Sequence, residues 1–250
     1  MDSYTFFGTK ISPKNIEDLL GSISDVIKTN GKRLYFSLNL HGLYLQFVNK
    51  KLNQAQLAAD IRIDGMPLIL LSRIVGIGDF KKTQRVTWMD LKDPFFKCCN
   101  ENRYRLFYLG SSSAIASKIN GFVALEYPNI DFKNHHGYFK FSSQDEKDIV
   151  SEINDFSPNI LLLGMGMPRQ EIWGMENKSN INANAILSCG AAMEYIVGEV
   201  RIPPRWMGQM GLEWLYRLLE SPKRFGFRYL IEPFFLLFHI LRHITINGKL

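Results

Sequence analysis

Residues 159–171, with the sequence NILLLGMGMPRQE, decide the fold of this 250-residue chain. Residues 160–163 form an apolar run with the length of a buried strand, and Gly164 and Gly166 follow it directly. Pro168 then suits the first position of a helix. A glycine loop between a strand and a helix N-terminus can hold an anion, because its backbone N–H groups are accessible and the helix end carries partial positive charge. This stretch therefore predicts an α/β protein with an anion site.

Apolar runs alternate with helical patterns along most of the chain. Strands are predicted at residues 34–38, 58–63, 105–109, 122–127, 160–163 and 185–188, and residues 128–141 are predicted to be a polar loop. This order predicts a parallel, Rossmann-like sheet with helices on both faces. Ligands bind beyond the carboxyl ends of the strands in such sheets. The candidate site positions at those ends are Ser37, Asp64, Gly110, Gly164 and Gly190.

Composition indicates an ordinary folded protein without a membrane span. No run of 18 apolar residues occurs, and the N-terminus lacks the basic-then-apolar pattern of a secretory signal, so we expect a cytoplasmic protein. The three cysteines fit neither a disulfide framework nor metal-ligand spacing. No metal or cofactor site is predicted from them.

The C-terminal fifth of the chain combines positive charge with a long apolar face. The net charge is +6, and from Glu199 onward basic residues exceed acidic ones by four. Charge alone suits anionic lipid or nucleic acid equally well. The apolar residues between 230 and 244 favour an anionic membrane surface and argue against nucleic acid. We therefore predict a catalytic domain at residues 1–195 and a helical, membrane-docking appendage at residues 196–250.

Three longer motifs resemble a known enzyme family. They are GMGMPRQEIW at 164–173, CGAAMEYIVGEVRIPPRWM at 189–207 and GLEWLYRLLESPKRFGFRYL at 211–230. Together with Ile63-Asp64-Gly65 and residues 84–87, they resemble the TagA/WecG/CpsF glycosyltransferases, glycosyltransferase family 26. The resemblance extends from about residue 30 to about residue 232.

This resemblance implies an inverting transferase in which Asp64 is the general base and Arg85 stabilises the departing diphosphate. Inversion requires no second, nucleophilic carboxylate. The chain has no paired carboxylates of the DxD type, so the reaction is expected to proceed without a metal or other cofactor. Trp88 stands where the family usually has a glycine, which places the detailed shape of the Arg85 loop in question.

The resemblance also assigns residues to substrates. The residues expected to bind the UDP-sugar are Ser37, Asn39, Gly110, Ser111, Met165, Gly166, Arg169, Gln170, Glu171 and Gly190. The arginines expected to meet lipid phosphates or the acceptor diphosphate are Arg205, Arg217, Arg224 and Arg228. A lipid-linked acceptor stays in the bilayer, so the enzyme is expected on the inner face of the cell membrane. A homo-oligomer is compatible with the sequence.

The predicted function is transfer of a sugar from a UDP-sugar to a polyprenyl-diphosphate-linked saccharide in bacterial surface polysaccharide synthesis. The donor sugar could be N-acetylmannosamine, its uronate, glucose or galactose. A soluble nucleotide-sugar epimerase or dehydrogenase is one alternative, but the chain lacks an early GxGxxG and a YxxxK pair. A non-catalytic membrane scaffold is another, and the presence of Asp64, Arg85 and Gln170 argues against it.

Overall fold

A computed structural model describes residues 4–11, 13–77 and 80–247, without the side chains of residues 82, 205, 209, 246 and 247. Its strands are β1 (Tyr4–Phe6), β2 (Thr9–Ile11), β3 (Arg33–Leu38), β4 (Asp60–Ile63), β5 (Arg105–Gly110), β6 (Asp131–His135), β7 (Ile160–Gly164) and β8 (Ala185–Ser188).

Helices follow most of these strands along the chain. In the N-terminal half they are α1 (Ile16–Lys28), α2 (Leu40–Val48), α3 (Lys50–Leu57), α4 (Met66–Ile74), α5 (Trp88–Glu101) and α6 (Ser113–Glu126). In the C-terminal half they are α7 (Gln144–Phe156), α8 (Arg169–Asn177), α9 (Ala192–Ile196), α10 (Arg205–Gln209), α11 (Glu213–Glu220), α12 (Pro222–Gly226) and α13 (Glu232–Asn247). A π-helical turn, Phe227–Ile231, joins α12 to α13.

The strands from β3 to β8 form a six-stranded sheet in the order β4-β3-β8-β7-β5-β6. The pairs β3–β8, β7–β8, β5–β7 and β5–β6 are parallel. Helices flank the sheet, since α8 packs on β7 and β8 and α6 packs on β6. β1 and β2 form a separate antiparallel hairpin. The predicted α/β class with a parallel sheet and a C-terminal helical region is confirmed.

One strand prediction is wrong. Within the predicted strand at 122–127, residues 122–126 belong to helix α6 and Tyr127 is its C-cap, whereas the real strand β6 lies inside the predicted polar loop. β6 is an edge strand that pairs only with β5, and its residues are exposed or half-buried. An edge strand exposed in this way does not need the continuous apolar run of a central parallel strand.

Contacts divide the chain into two compact units, each built from separated segments. The first unit comprises residues 1–15, 37–87 and 202–250, and the second comprises residues 16–36 and 88–201. Residues from 202 onward therefore group with residues 37–87. The predicted boundary between a catalytic domain and an appendage at residue 195 stays a prediction.

In the first unit, α13 packs along α2. Leu236 and Ile240 are buried on this face of α13. The His239 ring stacks on Phe47 with ring centroids 5.4 Å apart, and His243 contacts Phe7 of the N-terminal hairpin edge-on at 5.8 Å. The C-terminal helix is thus held by apolar and aromatic contacts to the start of the chain and to α2.

In the second unit, the central strands β5, β7 and β8 are buried along their length, apart from the half-buried Arg105 at the start of β5. Helix α8 lies close to them, since a Cβ on Gly174 would come within 2.8 Å of the Leu163 side chain. Trp173 on the same helix is fully buried. This packing fixes the N-terminus of α8 beside the glycine loop that follows β7.

No helix among the described residues combines the length and the apolar character needed to cross a bilayer. The longest, α13, has 16 residues.

Candidate active site

Asp64 lies at the carboxyl end of β4, where the chain turns into α4. The buried residues Ile61 and Ile63 hold the strand, and the Asp64 N–H donates to the Leu38 carbonyl over 2.8 Å. Gly65 follows with φ +111°, a conformation that other residues rarely adopt. The half-buried Asp64 side chain therefore emerges at a strand end, as the sequence predicts.

Arg85 is anchored to the same strand. It forms a parallel bridge with Ile63, and the Val86 N–H donates to the Ile63 carbonyl over 3.0 Å. Arg62 reinforces this connection by donating from Nε to the Val86 carbonyl over 3.2 Å. The backbone of Arg85 is thus held next to the residue that precedes Asp64.

Ser37 and Asn39 follow each other at the end of β3. Ser37 is buried, with 8% of its surface exposed, whereas Asn39 is half-buried. Asn39 caps α2, because its Oδ1 accepts the Gly42 N–H over 3.0 Å. The Asn39 side chain is thereby held in place at the start of α2.

A cavity of about 370 Å³ opens beside Asp64, and all of its lining residues belong to the first unit. Its polar and charged lining residues are Asn39, His41, Asp64, Arg217, Arg228 and Glu232. Its apolar wall includes Tyr44, Leu68, Trp214, Tyr229 and Leu236. A strand-end carboxylate, two guanidinium groups and aromatic rings therefore share one cavity.

Arg228 is largely enclosed by protein at this cavity. Its Nε is buried and makes no hydrogen bond within the described part of the chain. Burial lowers the pKa of Arg228, and Arg217 lowers it further, while Tyr229, Glu232 and Asp64 oppose the shift. An arginine stays charged under these conditions, so Arg228 brings a partly desolvated cation into electrostatic contact with Asp64.

His41 and Glu232 form a pair at the same cavity. The His41 Nδ1 lies 2.7 Å from the Glu232 Oε2, and both side chains are largely enclosed. Burial is the largest cause that lowers the pKa of His41, followed by the nearby Arg228, and the bond to Glu232 opposes both.

The four arginines predicted to meet phosphates occupy different environments. Arg217 and Arg228 line the cavity, whereas Arg224 is exposed to solvent and lies over the Phe225 ring at 5.3 Å. The side chain of Arg205 lies outside the described residues. Of the three whose side chains are described, Arg217 and Arg228 line the same cavity as Asp64.

The second unit holds the glycine loops that the sequence singles out. A Cβ on Gly110 would lie 2.7 Å from the Gly164 Cα, and one on Gly137 would lie 2.9 Å from the Gly110 Cα. The Gly137 N–H also donates to the Ser111 carbonyl over 3.0 Å. The loops after β5, β6 and β7 thus pack backbone against backbone, which leaves no room for side chains at these positions.

Gln170 joins two of the predicted binding loops. Its Oε1 accepts the N–H of Gly166 over 3.2 Å and the N–H of Gly190 over 3.0 Å. Its Nε2 donates to Glu171 Oε1 over 2.7 Å, and the side chain is buried. The Gly166 N–H, predicted as a phosphate donor, is therefore already occupied by Gln170, and a phosphate would have to displace that bond.

The neighbours of Gln170 are also enclosed by protein. Glu171 has no exposed surface, which separates its carboxylate from a ligand in this structure. Arg169 donates to the Phe139 carbonyl and lies over the Phe139 and Phe141 rings at 4.9 and 4.3 Å. Met165 packs against Gly137. In this structure Arg169, Gln170 and Glu171 make protein contacts that hold the loops.

A hydrogen-bond chain runs beneath Gly110. The Ser111 hydroxyl donates to Glu194 Oε1 over 3.0 Å, so the Tyr108 hydroxyl is the donor in its 2.7 Å bond to Ser111. Burial strongly raises the pKa of Tyr108, which keeps it protonated as that donor.

Trp88 donates from its indole to the Ser188 carbonyl over 2.8 Å. Trp88, which stands where the family usually has a glycine, is thus hydrogen-bonded to the last residue of β8.

Comparison with known proteins identifies the family. A family model described as "Glycosyl transferase WecG/TagA/CpsF family" matches residues 4–249. The chain belongs to this family. Its curated relatives include proteins of Staphylococcus aureus strains MW2, NCTC 8325 / PS 47 and COL, each named N-acetylglucosaminyldiphosphoundecaprenol N-acetyl-beta-D-mannosaminyltransferase. Each is 27% identical over 186 residues, which cover 74% of this chain and 68% of the relative.

As a member of the WecG/TagA/CpsF family the protein is a glycosyltransferase, which confirms the predicted family and class of enzyme. Sequence reasoning missed several cavity residues, above all His41 and Glu232. They lie 191 positions apart, and neither stands in a motif that signals pairing. In the described ranges, no three His, Cys, Asp or Glu side chains are grouped to hold a metal ion.

Proposed function

We propose that this protein is an inverting glycosyltransferase that moves a sugar from a UDP-sugar to a polyprenyl-diphosphate-linked saccharide. The observation that carries the proposal is the cavity in which Asp64 at a strand end shares space with Arg217 and Arg228. One base and fixed cations are the groups that a single displacement with a charged leaving group or acceptor requires. Membership in a glycosyltransferase family supports the same reaction class.

In the proposed reaction, Asp64 removes the proton from an acceptor hydroxyl as that oxygen attacks the anomeric carbon of the donor. The new carbon–oxygen bond forms on the face opposite the diphosphate. The old bond to the diphosphate oxygen breaks with its electron pair, and UDP departs. Since only one displacement occurs, the anomeric configuration inverts.

In this proposal, arginines bind and stabilise the diphosphate groups of both substrates. Arg85, held beside β4, stabilises the charge that develops on the departing UDP. Arg217 and Arg228 bind the acceptor diphosphate, and guanidinium groups suit this task because they can donate two parallel hydrogen bonds to phosphate oxygens. With these cations, the reaction is proposed to need no metal ion.

The donor is proposed to be UDP-N-acetylmannosamine and the acceptor a polyprenyl-diphosphate-linked N-acetylglucosamine. The names of the three staphylococcal relatives, N-acetylmannosaminyltransferases that act on N-acetylglucosaminyldiphosphoundecaprenol, support this choice over the uronate, glucose and galactose donors. The glycine loops of the second unit are proposed to hold the nucleotide, whose phosphate would displace Gln170 Oε1 from the Gly166 N–H at the start of α8.

The enzyme is proposed to work on the cytoplasmic face of the membrane. Helix α13 and the preceding π-helical turn expose large apolar side chains, and Lys223 and Arg224 precede them. The exposed apolar residues of this surface are Phe227, Leu230, Phe234, Leu237, Phe238 and Leu241. Apolar side chains beside cations favour an anionic bilayer surface, which brings the enzyme to an acceptor that stays in lipid.

A donor panel tests the proposed function. Purified full-length protein is incubated with each UDP-sugar and a short-chain polyprenyl-diphosphate-linked N-acetylglucosamine, with and without EDTA, and UDP release is measured. We expect release with UDP-N-acetylmannosamine that EDTA does not reduce. Absence of release with every donor would refute the transferase, and loss of release with EDTA would refute only metal independence.

Asp64→Asn tests the assigned base. Loss of general-base catalysis should lower turnover by about 10²–10⁴-fold. UDP binding, measured by calorimetry, should persist, because the amide preserves the shape of the side chain. Normal turnover by this variant would show that another group removes the proton.

A further inference from the structure

The His41–Glu232 pair connects two chain segments that border the cavity. His41 lies in the first turn of α2, two residues after Asn39, and Glu232 begins α13. Their 2.7 Å contact is enclosed, since 18% of the His41 side chain and 9% of the Glu232 side chain are exposed. A carboxylate only accepts hydrogen bonds, so His41 donates from Nδ1.

Glu232 also lies close to Arg228 in the sequence, on the same continuous helical segment. The π-helical turn Phe227–Ile231 contains Arg228 and ends directly before Glu232. The two residues are four positions apart, so their side chains lie on the same side of the helical segment, and both line the cavity. Single π-helical turns are found frequently at functional sites, where they alter the direction of a side chain.

Glu232 and Asp64 both act electrostatically on Arg228, and both favour its charged form. Arg228 thus shares the cavity with two carboxylates, and one of them, Glu232, is hydrogen-bonded to His41. A buried pair of this kind is weak evidence for stability, because desolvation offsets the attraction. The position of the His41–Glu232 pair at the cavity agrees better with a role in fixing the orientation of Arg228.

We propose that His41 and Glu232 are positioning residues that orient the Arg228 guanidinium relative to Asp64. This inference rests on the proposed function, in which Arg228 binds the acceptor diphosphate. The bond from His41 fixes Glu232 at the start of α2. Glu232 in turn fixes the π-helical turn, so that the Arg228 guanidinium is already oriented when the acceptor arrives. Neither positioning residue touches the reacting atoms.

The chain offers substitutions that separate this role from simple packing. His41→Gln keeps a donor that can reach Glu232, whereas His41→Leu keeps the approximate size and removes the donor. Glu232→Gln removes the charge beside Arg228. Glu199→Gln is the matched control, because Glu199 also forms an ion pair, with Lys118, and is not among the residues that line the cavity.

Turnover and donor KM are measured for these four variants and for His41→Leu combined with Glu232→Gln. We expect kcat to fall about tenfold in His41→Leu and Glu232→Gln, the loss typical of one hydrogen bond to a charged group, with the donor KM unchanged. The double variant should lose no more than either single variant. His41→Gln and Glu199→Gln should retain wild-type turnover.

Hydrogen exchange supplies a readout that is independent of turnover. Amides of residues 227–236 should exchange faster in His41→Leu than in the wild type, and at the wild-type rate in His41→Gln. Equal turnover and exchange in His41→Leu and wild type would overturn the positioning role, and so would equal losses in His41→Leu and His41→Gln. If the wild type releases no UDP with any donor, the proposed function fails and exchange alone decides whether the pair orders this segment.

Discussion

Gln170 shows how a residue in a binding motif can act by holding loops rather than by touching a ligand. Its side-chain amide accepts from the N–H groups of Gly166 and Gly190 and donates to Glu171, and these three bonds are all to protein groups. Gly166 follows β7 and Gly190 follows β8, and the two loops are joined through one buried side chain. The position of both loops therefore depends on this amide.

Gln170→Leu should lower the free energy of unfolding by about 1–3 kcal/mol, because it leaves the half-buried N–H groups of Gly166 and Gly190 without their acceptor. Gln56→Leu is the matched control. Gln56 is also buried, but its amide has no hydrogen bond to any described residue, so its replacement by Leu should be neutral or stabilising. Urea unfolding of both variants measures the difference. Equal destabilisation of the two variants would show that the hydrogen bonds of Gln170 add nothing to the free energy of unfolding beyond the packing of its side chain.

His41 should make stability depend on pH. Its pKa in the folded protein lies below the ordinary value of 6.5, with burial the main cause and Arg228 the next. Between the folded pKa and 6.5 the unfolded state binds more protons, so acidification through this range lowers the free energy of unfolding. Above pH 6.5 the contribution of His41 is constant.

Urea unfolding at pH 7.5 and pH 5.5 measures this effect. His41→Gln removes the titrating ring and keeps a hydrogen-bond donor, so its stability should fall less than that of the wild type on acidification. An equal fall in both proteins would assign the pH dependence to other groups.

At the scale of elements, the sequence predicts central strands well and edge strands poorly. β7 and β8 are apolar because helices and neighbouring strands cover them, and their pattern identifies them directly. β6 has polar, partly exposed residues, and its backbone pairing with β5 leaves no trace in hydrophobic periodicity. Residues 122–126 belong instead to α6, where Val123 is buried in the core. Short apolar runs do not separate helix from strand.

In the candidate site too, residues with a local sequence signal are predictable, whereas groupings made by tertiary packing are not. Asp64 is predictable because it ends a buried strand and precedes a glycine that permits the turn. The roles of Arg217 and Arg228 come only from the family resemblance, and their grouping with Asp64 requires the tertiary structure. Pairing between His41 and Glu232 depends on how α13 packs on α2, which local sequence does not encode.

The exposed face of α13 should control membrane binding. Phe234 and Phe238 are 75% and 60% exposed, while Leu236 and Ile240 on the same helix are buried against the protein. Phe234→Asp combined with Phe238→Asp should reduce cosedimentation with anionic vesicles about tenfold or more, since each phenyl ring contributes roughly 1.5–3 kcal/mol when fully buried. Leu125→Asp on α6 is the control, because Leu125 is equally exposed, at 78%. Similar losses in both proteins would indicate nonspecific adsorption.

At the scale of the whole molecule, each compact unit is assembled from distant parts of the chain. The segment from residue 202 groups with residues 37–87, which include Asp64 and Arg85. The proposed membrane surface and the proposed base therefore belong to one unit. A truncation would remove part of that unit's packing together with the membrane surface, so its effects on binding and on folding would be mixed.

A chain ending at residue 201 should therefore show faster amide exchange in α2. Truncation removes Leu236 and Ile240, which are buried where α13 packs on α2, and the enclosed partner of His41. The Phe234→Asp and Phe238→Asp double variant keeps these buried contacts, so its α2 amides should exchange at the wild-type rate although vesicle binding is lost. Exchange mass spectrometry on both proteins separates the two effects. Wild-type exchange of α2 in the truncated chain would mean that the C-terminal segment contributes membrane binding without supporting the fold around Asp64.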